Sequence, residues 1–397
     1  MSTIYIDGSY GEGGGQVLRT SLTLATIAGQ PIRIEGIRAG RKKPGMAAQH
    51  LTCVKAAAAI CEAEVKGDAL GSMTLEFTPT TSPKPGFYCF DVSEASQGGS
   101  AGAVSLILQT ILLPLAFAAD DSEVTLRGGT HVAFSPTLSY IQEIYLPMLS
   151  KMGLSARVKL AKWGWYPQGG GEAKLLVTGN HWRLKEAERP LQAIHLMERG
   201  KLRQLRGVAV VTELPSHIPQ RMASRAENIL CCRDAKFRVS TSPFHARVEA
   251  KRERGVAPGA GIFLTAEYES NAKNCDLRAG FSALGRRGLP AEKVAEMACE
   301  DFLKFHEHDA PVDGYLADQL LLPLAFAAGK SQFRTTEITL HLSTNAWAIA
   351  QFGLAEIKID RTTGVVAIVP KQGEGGEGER GRGGEGETRR HGDTERR

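Results

Sequence analysis

The octapeptide LLPLAFAA occurs twice in this chain, at Leu112–Ala119 and Leu321–Ala328, 209 residues apart. Identity over eight apolar positions implies an internal repeat, and a repeat restricts the fold to units that complete one another's cores. Each copy precedes a polar turn and a β-rich stretch, EVTLRGGTH at Glu123–His131 and EITLHLSTN at Glu337–Asn345. A fainter third copy, SLTLATIAGQ followed by PIRIEGIRAGR, comes earlier. The unit reads as helix, turn, strand and polar tip, and three of them around a shared axis predict an α+β architecture of three repeated α/β units.

Aligning the tips makes Arg38, Arg127 and His341 equivalent strand-end residues. The first two lie 89 residues apart and the last two 214, so about 125 additional residues fall before the third tip. These predict a small inserted α/β domain at 183–278, with strand-like GVAVVTEL and IFLTAEYE and helix-like PQRMASRAENILCC. Repeats one and two then occupy 1–182, and the third occupies 279–370. Cationic tips at equivalent places favour a common anionic site.

The segment DGSYGEGGGQVLRT, Asp7–Thr20, places five glycines before a helix. It is not a P-loop, because no lysine precedes Lys42, and it is not a dinucleotide fingerprint, because Gln16 stands where the third glycine belongs. Two readings remain open: a backbone nest for an anion at a helix N-terminus, or a tight strand-to-helix turn. Glu12 and Arg19 lean toward the first, since a carboxylate in an anion nest requires a metal or a cation beside it.

Arg38, Arg41, Lys42 and Lys43 crowd IRAGRKKPGMAAQHL, where Gly40, Pro44 and Gly45 shape a loop and predict contact with phosphate or an RNA backbone. In WGWYPQGGGEAKL, Trp163, Trp165 and Tyr166 are read either as packing or as base-stacking rings.

The longest apolar stretch, Ile111–Ala119, is short and interrupted by Pro114, so no membrane span is expected. Seven cysteines without a CxxC pair argue against a disulfide framework or zinc site and point to a reducing, cytoplasmic compartment. The formal charge is +5, while residues 371–397 carry seven Lys or Arg, seven Asp or Glu, nine glycines and no apolar residue. That tail is predicted to be disordered, and the excess charge belongs to the rest of the chain.

Taken in order, DGSYGEGGGQVLRT, IRAGRKKPGMAAQHL, WYPQGGGEAKL, GYLADQLLLPLAFA and LHLSTNAWAI resemble the RNA 3'-terminal phosphate cyclases, from the first strand to about Pro370. The resemblance implies an enolpyruvyl-transferase-like repeat fold with an inserted domain. It also implies a ligase that uses ATP to convert an RNA 3'-phosphate into a 2',3'-cyclic phosphodiester through a histidine-AMP and an RNA-adenylate.

On this resemblance His341 is the nucleophile. Tyr315, Leu316, Ala317, Asp318, Gln319, Gln109, Pro136 and Arg19 would contact ATP. Arg38, Arg41, Gln49, His50 and Gln16 would meet the RNA end, and Glu12 would lie near a divalent metal, Mg2+ or Mn2+. THVAFSPTLSYI is less polar than the family's loop, although Pro136 fits. The partners implied are ATP and an RNA with a 3'-phosphate end, with a homodimer as a further expectation.

Two rivals are a catalytically silent cyclase-like protein acting in ribosome assembly, which would lack the histidine, and an enolpyruvyl transferase, which would need neither YLADQ nor HLSTN.

Overall fold

A computed structural model of the chain describes residues 2–95, 102–180, 182, 190–231, 246–269 and 277–371. The tail expected to be disordered lies outside the described residues, apart from Lys371.

Four four-stranded sheets organise the molecule. The first contains β1 (Ile4–Asp7), β2 (Ile32–Glu35), β3 (Glu64–Lys66) and β4 (Leu75–Thr78), ordered β1-β2-β4-β3. The second contains β5 (Phe87–Asp91), β6 (Ser122–Gly128), β7 (Ala156–Lys162) and β8 (Gly171–Val177), ordered β5-β6-β8-β7. Next in the chain come the two-residue β9 (His195–Leu196) and a sheet of β10 (Leu202–Thr212), β11 (Ala246–Glu253), β12 (Gly259–Tyr268) and β13 (Leu277–Leu284), ordered β11-β10-β12-β13. Finally β14 (Ser331–Arg334), β15 (Ala355–Asp360) and β16 (Val365–Pro370) join β9 in the order β15-β16-β14-β9.

Three of these sheets share one connectivity. In each, the first two strands are parallel and the other pairings antiparallel. A helix follows the first strand and another follows the second. These are α1 (Gln16–Ala28) and α2 (Ala48–Cys61) in the first unit; in the second, α3 (Val104–Ala116) and the short α4 (Leu138–Tyr140), continued through a π-turn into α5 (Leu146–Lys151). α6 (His217–Leu230) and α7 (Ala291–Glu307) flank the β10–β13 sheet, and the last unit has α8 (Gly314–Leu324) and α9 (Leu340–Gln351).

The octapeptides form the ends of α3 and α8, and their phenylalanines meet: Phe117 and Phe326 lie 5.2 Å apart in an edge contact. The repeated sequence thus packs against itself at the centre. α1 has the apolar surround of a central helix, with Val17, Leu18, Leu22 and Leu24 buried, and ends at Gly29, whose φ of 62° suits a residue without Cβ.

Three expectations require correction. EITLHLSTN is not a strand: Thr339 caps α9, its hydroxyl accepting from the Leu342 N–H, so His341 sits in a helical first turn. The strand after the second octapeptide is β14, and β6 and β14 start 209 residues apart, the octapeptide's own offset. Arg127, the next-to-last residue of β6, pairs with Glu172 at 2.9 Å, whereas Arg38 lies in the turn after β2 and His341 in a helix.

The bounds read for the insert also differ from the sheets. Residue 278 falls inside β13, β9 belongs to the last sheet, and α7 packs on α6 and β13. Among the described residues no helix is long and apolar enough to cross a membrane.

Candidate active site

The glycine loop after β1 is bare because side chains from three helices press on it. A Cβ on Gly11 would lie 2.1 Å from Thr344 Oγ1, one on Gly14 2.2 Å from Glu12 Oε1, and one on Gly15 2.2 Å from His50 Nε2 and 2.6 Å from an Arg19 guanidinium nitrogen. Gly11 and Gly13 also have φ of 67° and 55°, which glycine adopts without strain. Tyr10 stacks on Trp347 at 4.0 Å, fastening the loop to α9.

This packing brings Glu12 to His341. Glu12 Oε2 lies 3.1 Å from His341 Nε2 and 3.1 Å from an Arg41 guanidinium nitrogen. The Glu12 side chain is only 12% exposed, whereas that of His341 is 52% exposed and open to a reactant. His341 is the second residue of α9, where unpaired backbone N–H groups favour an anion. Gln49 holds the same second position in α2 and donates no contact here; its Oε1 accepts from the Ala103 N–H.

Behind His341, a directed set of hydrogen bonds ties α1, α9 and α8 together. Arg19 donates to Gln16 Oε1 at 2.8 Å, Gln16 to Thr20 Oγ1 at 3.2 Å, and Thr20 to Asn345 Oδ1 at 2.7 Å. Asn345 then donates to the carbonyl and the Oδ1 of Asp318, at 3.0 and 3.1 Å. Burial raises the Asp318 carboxyl to about 6, opposed by His341, Asn345 and Arg19. Burial likewise lowers the Arg19 guanidinium below its usual range, with Glu12 and Asp318 among the groups opposing it.

His50 is buried and pushed down to about 3, first by burial and then by Arg19 and Arg38. Its Nδ1 accepts from the Ala47 N–H, so the neutral ring carries its proton on Nε2, toward the glycine loop. Arg38, at φ 55°, donates to the Gly45 carbonyl at 2.6 Å and holds the basic loop in shape.

The remaining expected residues divide. Tyr315 is 70% exposed one turn before Asp318, whereas Leu316 and Ala317 face the core and could meet a ligand only through backbone. Gln319 is buried with its Oε1 unpartnered among the described residues. Gln109 lies half-buried on α3, and Pro136 lies in the loop before α4; neither has a hydrogen bond to the Glu12–His341 group. Trp165 is buried against Val210 and Phe263, and Trp163 stacks on it at 5.3 Å, so this pair packs the second unit on the β10–β13 sheet.

Sequence reasoning missed Asn345, Thr20, Asp313 and Tyr140. Asp313 caps α8 through the Tyr315 and Leu316 N–H groups and accepts from the Tyr140 hydroxyl at 2.8 and 3.0 Å. An Asp before a glycine and an apolar helix is the signal that could have identified that cap.

No group of three His, Cys, Asp or Glu among the described residues is placed to hold a metal ion. The single carboxylate of Glu12 fits an ion that arrives already bound to phosphates, not an all-protein cage.

The model of the RNA 3'-terminal phosphate cyclase family matches residues 10–359. Curated relatives of that name include one from Trichormus variabilis, 60% identical over 92% of this chain and 98% of its own. Another from Methylococcus capsulatus is 48% identical over 93% and 97%, and one from Archaeoglobus fulgidus is 38% identical over 88% and 95%. The matched span contains the glycine loop, the basic loop, α8 and the His341 turn, and the chain belongs to the RNA 3'-terminal phosphate cyclase family.

Proposed function

We propose that the protein uses ATP to close an RNA 3'-phosphate into a 2',3'-cyclic phosphodiester, with His341 carrying AMP between the two substrates. The observation that carries this reading is the exposed His341 imidazole, held 3.1 Å from Glu12 in the first turn of α9 with Arg41 on the same carboxylate.

Nε2 lies within hydrogen-bond distance of the Glu12 carboxylate, and drawing Glu12 toward a cation would release the ring from that partner to act as a nucleophile. A histidine nitrogen lone pair attacks the α-phosphorus of ATP, the bond to the β-phosphate oxygen breaks, and pyrophosphate leaves. Arg19 and Arg41 offset the charge on the phosphate oxygens, and the α9 N–H groups face it. A divalent ion bound with the triphosphate, Mg2+ or Mn2+, would supply further charge and would be held by Glu12.

An oxygen of the RNA 3'-phosphate then displaces the histidine from AMP, which restores the imidazole. The neighbouring 2'-oxygen attacks the RNA phosphorus, AMP departs, and the hydroxyl proton passes to solvent. This last step is intramolecular, so positioning supplies most of its rate.

The division of labour follows the fold. We read three equivalent units as an enolpyruvyl-transferase-like frame, with the β10–β13 sheet and its helices as the inserted domain in a cytoplasmic enzyme. ATP would lie along Tyr315 and Asp318 beside Gln109, Gln319 and Pro136. The RNA end would lie beside Arg38, Arg41, Gln16, Gln49 and His50. Presence of His341 weighs against a silent ribosome-assembly role. The test is incubation of an oligonucleotide bearing a 3'-phosphate with the protein and ATP. A phosphatase-resistant cyclic end that requires ATP supports the reading, and a 3'-phosphate that stays phosphatase-sensitive overturns it.

A further inference from the structure

A cleft of about 1180 Å³ separates the second unit from the open face of the β10–β13 sheet, and it does not include Glu12 or His341. Its volume exceeds the roughly 300–1,000 Å³ usual for a small-molecule site. One wall is the start of α4 and the π-turn, including Ser139, Tyr140 and Glu143; the other is formed by the sheet, from β10, β11, β12 and β13. Along β11, Arg247, Glu249, Lys251 and Glu253 point into the cleft, while Val248 between them is buried.

The charges on this sheet are arranged at a cost. Arg206 on β10 is registered directly beside Arg247 on β11, and like charges side by side on a sheet repel. Arg206 is satisfied across the cleft by Glu143 at 2.7 Å, with Glu267 on β12 a second, longer partner at 3.6 Å. Arg247 and Arg254 are exposed and have no ion pair or hydrogen bond among the described residues. Lys251 pairs with Glu249, and Arg252 donates to the Leu214 carbonyl. Five basic side chains therefore face three glutamates, with Trp163 half-buried at the wall and Phe263 and Tyr140 buried behind it. A groove with this excess of cations suits a single-stranded polyanion, whose backbone such grooves track.

The cleft also adjoins the candidate active site. Tyr140 lines it, donates to Asp313 at the cap of α8, and makes an edge contact with Tyr315 at 6.4 Å. One turn further along α8 is Asp318, bound to Asn345 on the His341 helix. We propose that this cleft holds the single-stranded RNA several nucleotides upstream of its 3' end, with Arg247 and Arg254 on the phosphates and Glu143 occupying Arg206 until RNA displaces it. The inference rests on the proposed RNA reaction and assigns a second contact region for the same substrate.

The test compares the wild type with Arg247→Gln/Arg254→Gln, both surface changes, using a labelled 3'-phosphorylated 12-mer and a dinucleotide 3'-phosphate. Direct binding is read by anisotropy, closure by kcat/KM, and self-adenylylation separately. Removing two phosphate contacts should weaken 12-mer binding on the order of twenty-fold near 0.1 M salt and lower the salt slope by about 1.4. Dinucleotide closure and self-adenylylation should stay at wild-type rates, and Glu143→Gln should tighten 12-mer binding by leaving Arg206 only its longer contact with Glu267.

Unchanged 12-mer affinity in the double variant would overturn the proposal, as would an equal loss for both substrates. Because binding is read without turnover, the two readings separate. A wild type that binds the 12-mer through these arginines but closes no end refutes the reaction and leaves the cleft; one that closes ends with no dependence on them refutes the cleft alone.

Discussion

At the residue scale, Glu12 has two competing demands: it is paired with Arg41 and His341 at 3.1 Å each, and it is the carboxylate nearest the proposed phosphate site. Replacing it with alanine should slow adenylylation and raise the divalent-ion concentration needed for half-maximal rate, with melting temperature nearly unchanged because both partners are exposed. An unaltered ion dependence in Glu12→Ala would reduce Glu12 to a turn residue. Asn345 is buried at the meeting of α1, α8 and α9, and its amide is fixed at both ends by Thr20 and Asp318. Asn345→Ala leaves the Thr20 hydroxyl and the Asp318 carboxylate short of partners, a cost of about 1–3 kcal/mol for a buried group. Thermal melting and the adenylylation rate should both fall; wild-type values for both would show that Asn345 positions nothing.

Much of this site was legible because charged residues beside glycines stand out in a sequence. Glu12, Arg19 and Arg41 were singled out that way, whereas His341, with no glycine beside it, was singled out through the repeat and the family resemblance. Asn345 and Thr20 carry no charge and sit within apolar helices, so only the packing of α1 on α9 reveals them.

At the element scale, the misreading of EITLHL has a physical origin. Ile338, Leu340 and Leu342 alternate as in a strand, yet Leu342, Ala346 and Ile349 form the buried helical stripe, and Thr339 supplies the cap. Leu340, which the alternation would bury, is exposed. The two-residue β9 is too short to leave any periodic signal.

The glycines offer a contrast that can be measured. Gly15 has φ −83°, open to any residue, so Gly15→Ala is a purely steric change against His50 and Arg19. It should cut adenylylation by about 10²-fold through displacement of about 1 Å. Gly29 has φ 62° with nothing within 4 Å of an added Cβ, so Gly29→Ala should cost about 1–2 kcal/mol of stability and spare the activity. The reverse pattern would show that the loop is only a turn.

At the scale of the whole molecule, two buried neutral histidines set the acid limit. His50 and His131 are each pushed by burial to about 3, against an unfolded value near 6.5. The unfolded chain binds more protons between these values, so stability is full above pH 6.5 and is lost as pH falls toward 3. Asp318 acts with the opposite sign: raised to about 6, its carboxyl stabilises the fold as pH falls from 6 toward 3.8. The two histidine contributions, at about 1.4 kcal/mol per unit each, outweigh it, so urea midpoints should decline from pH 6.5 to 4. In His131→Phe the decline should be shallower; an identical slope would remove His131 from the account.

The octapeptide made a repeat legible, since a repeated core sequence must pack somewhere, and here its two copies meet at Phe117 and Phe326. The limits of the intervening sheet were not legible, because α7 resembles the next unit's helix in pattern and only its packing on α6 and β13 assigns it. α1 of the first unit and α8 of the last pack on α9, whose first turn presents His341, and the claim that this histidine carries AMP is the centre of the account. Incubation with ATP labelled at the α-phosphate, proteolysis and mass spectrometry test it most directly. The account predicts one acid-labile AMP on the peptide containing TLHLSTN, absent in His341→Asn, which should still fold. An AMP on a lysine or another histidine, or one that persists in His341→Asn, would contradict it.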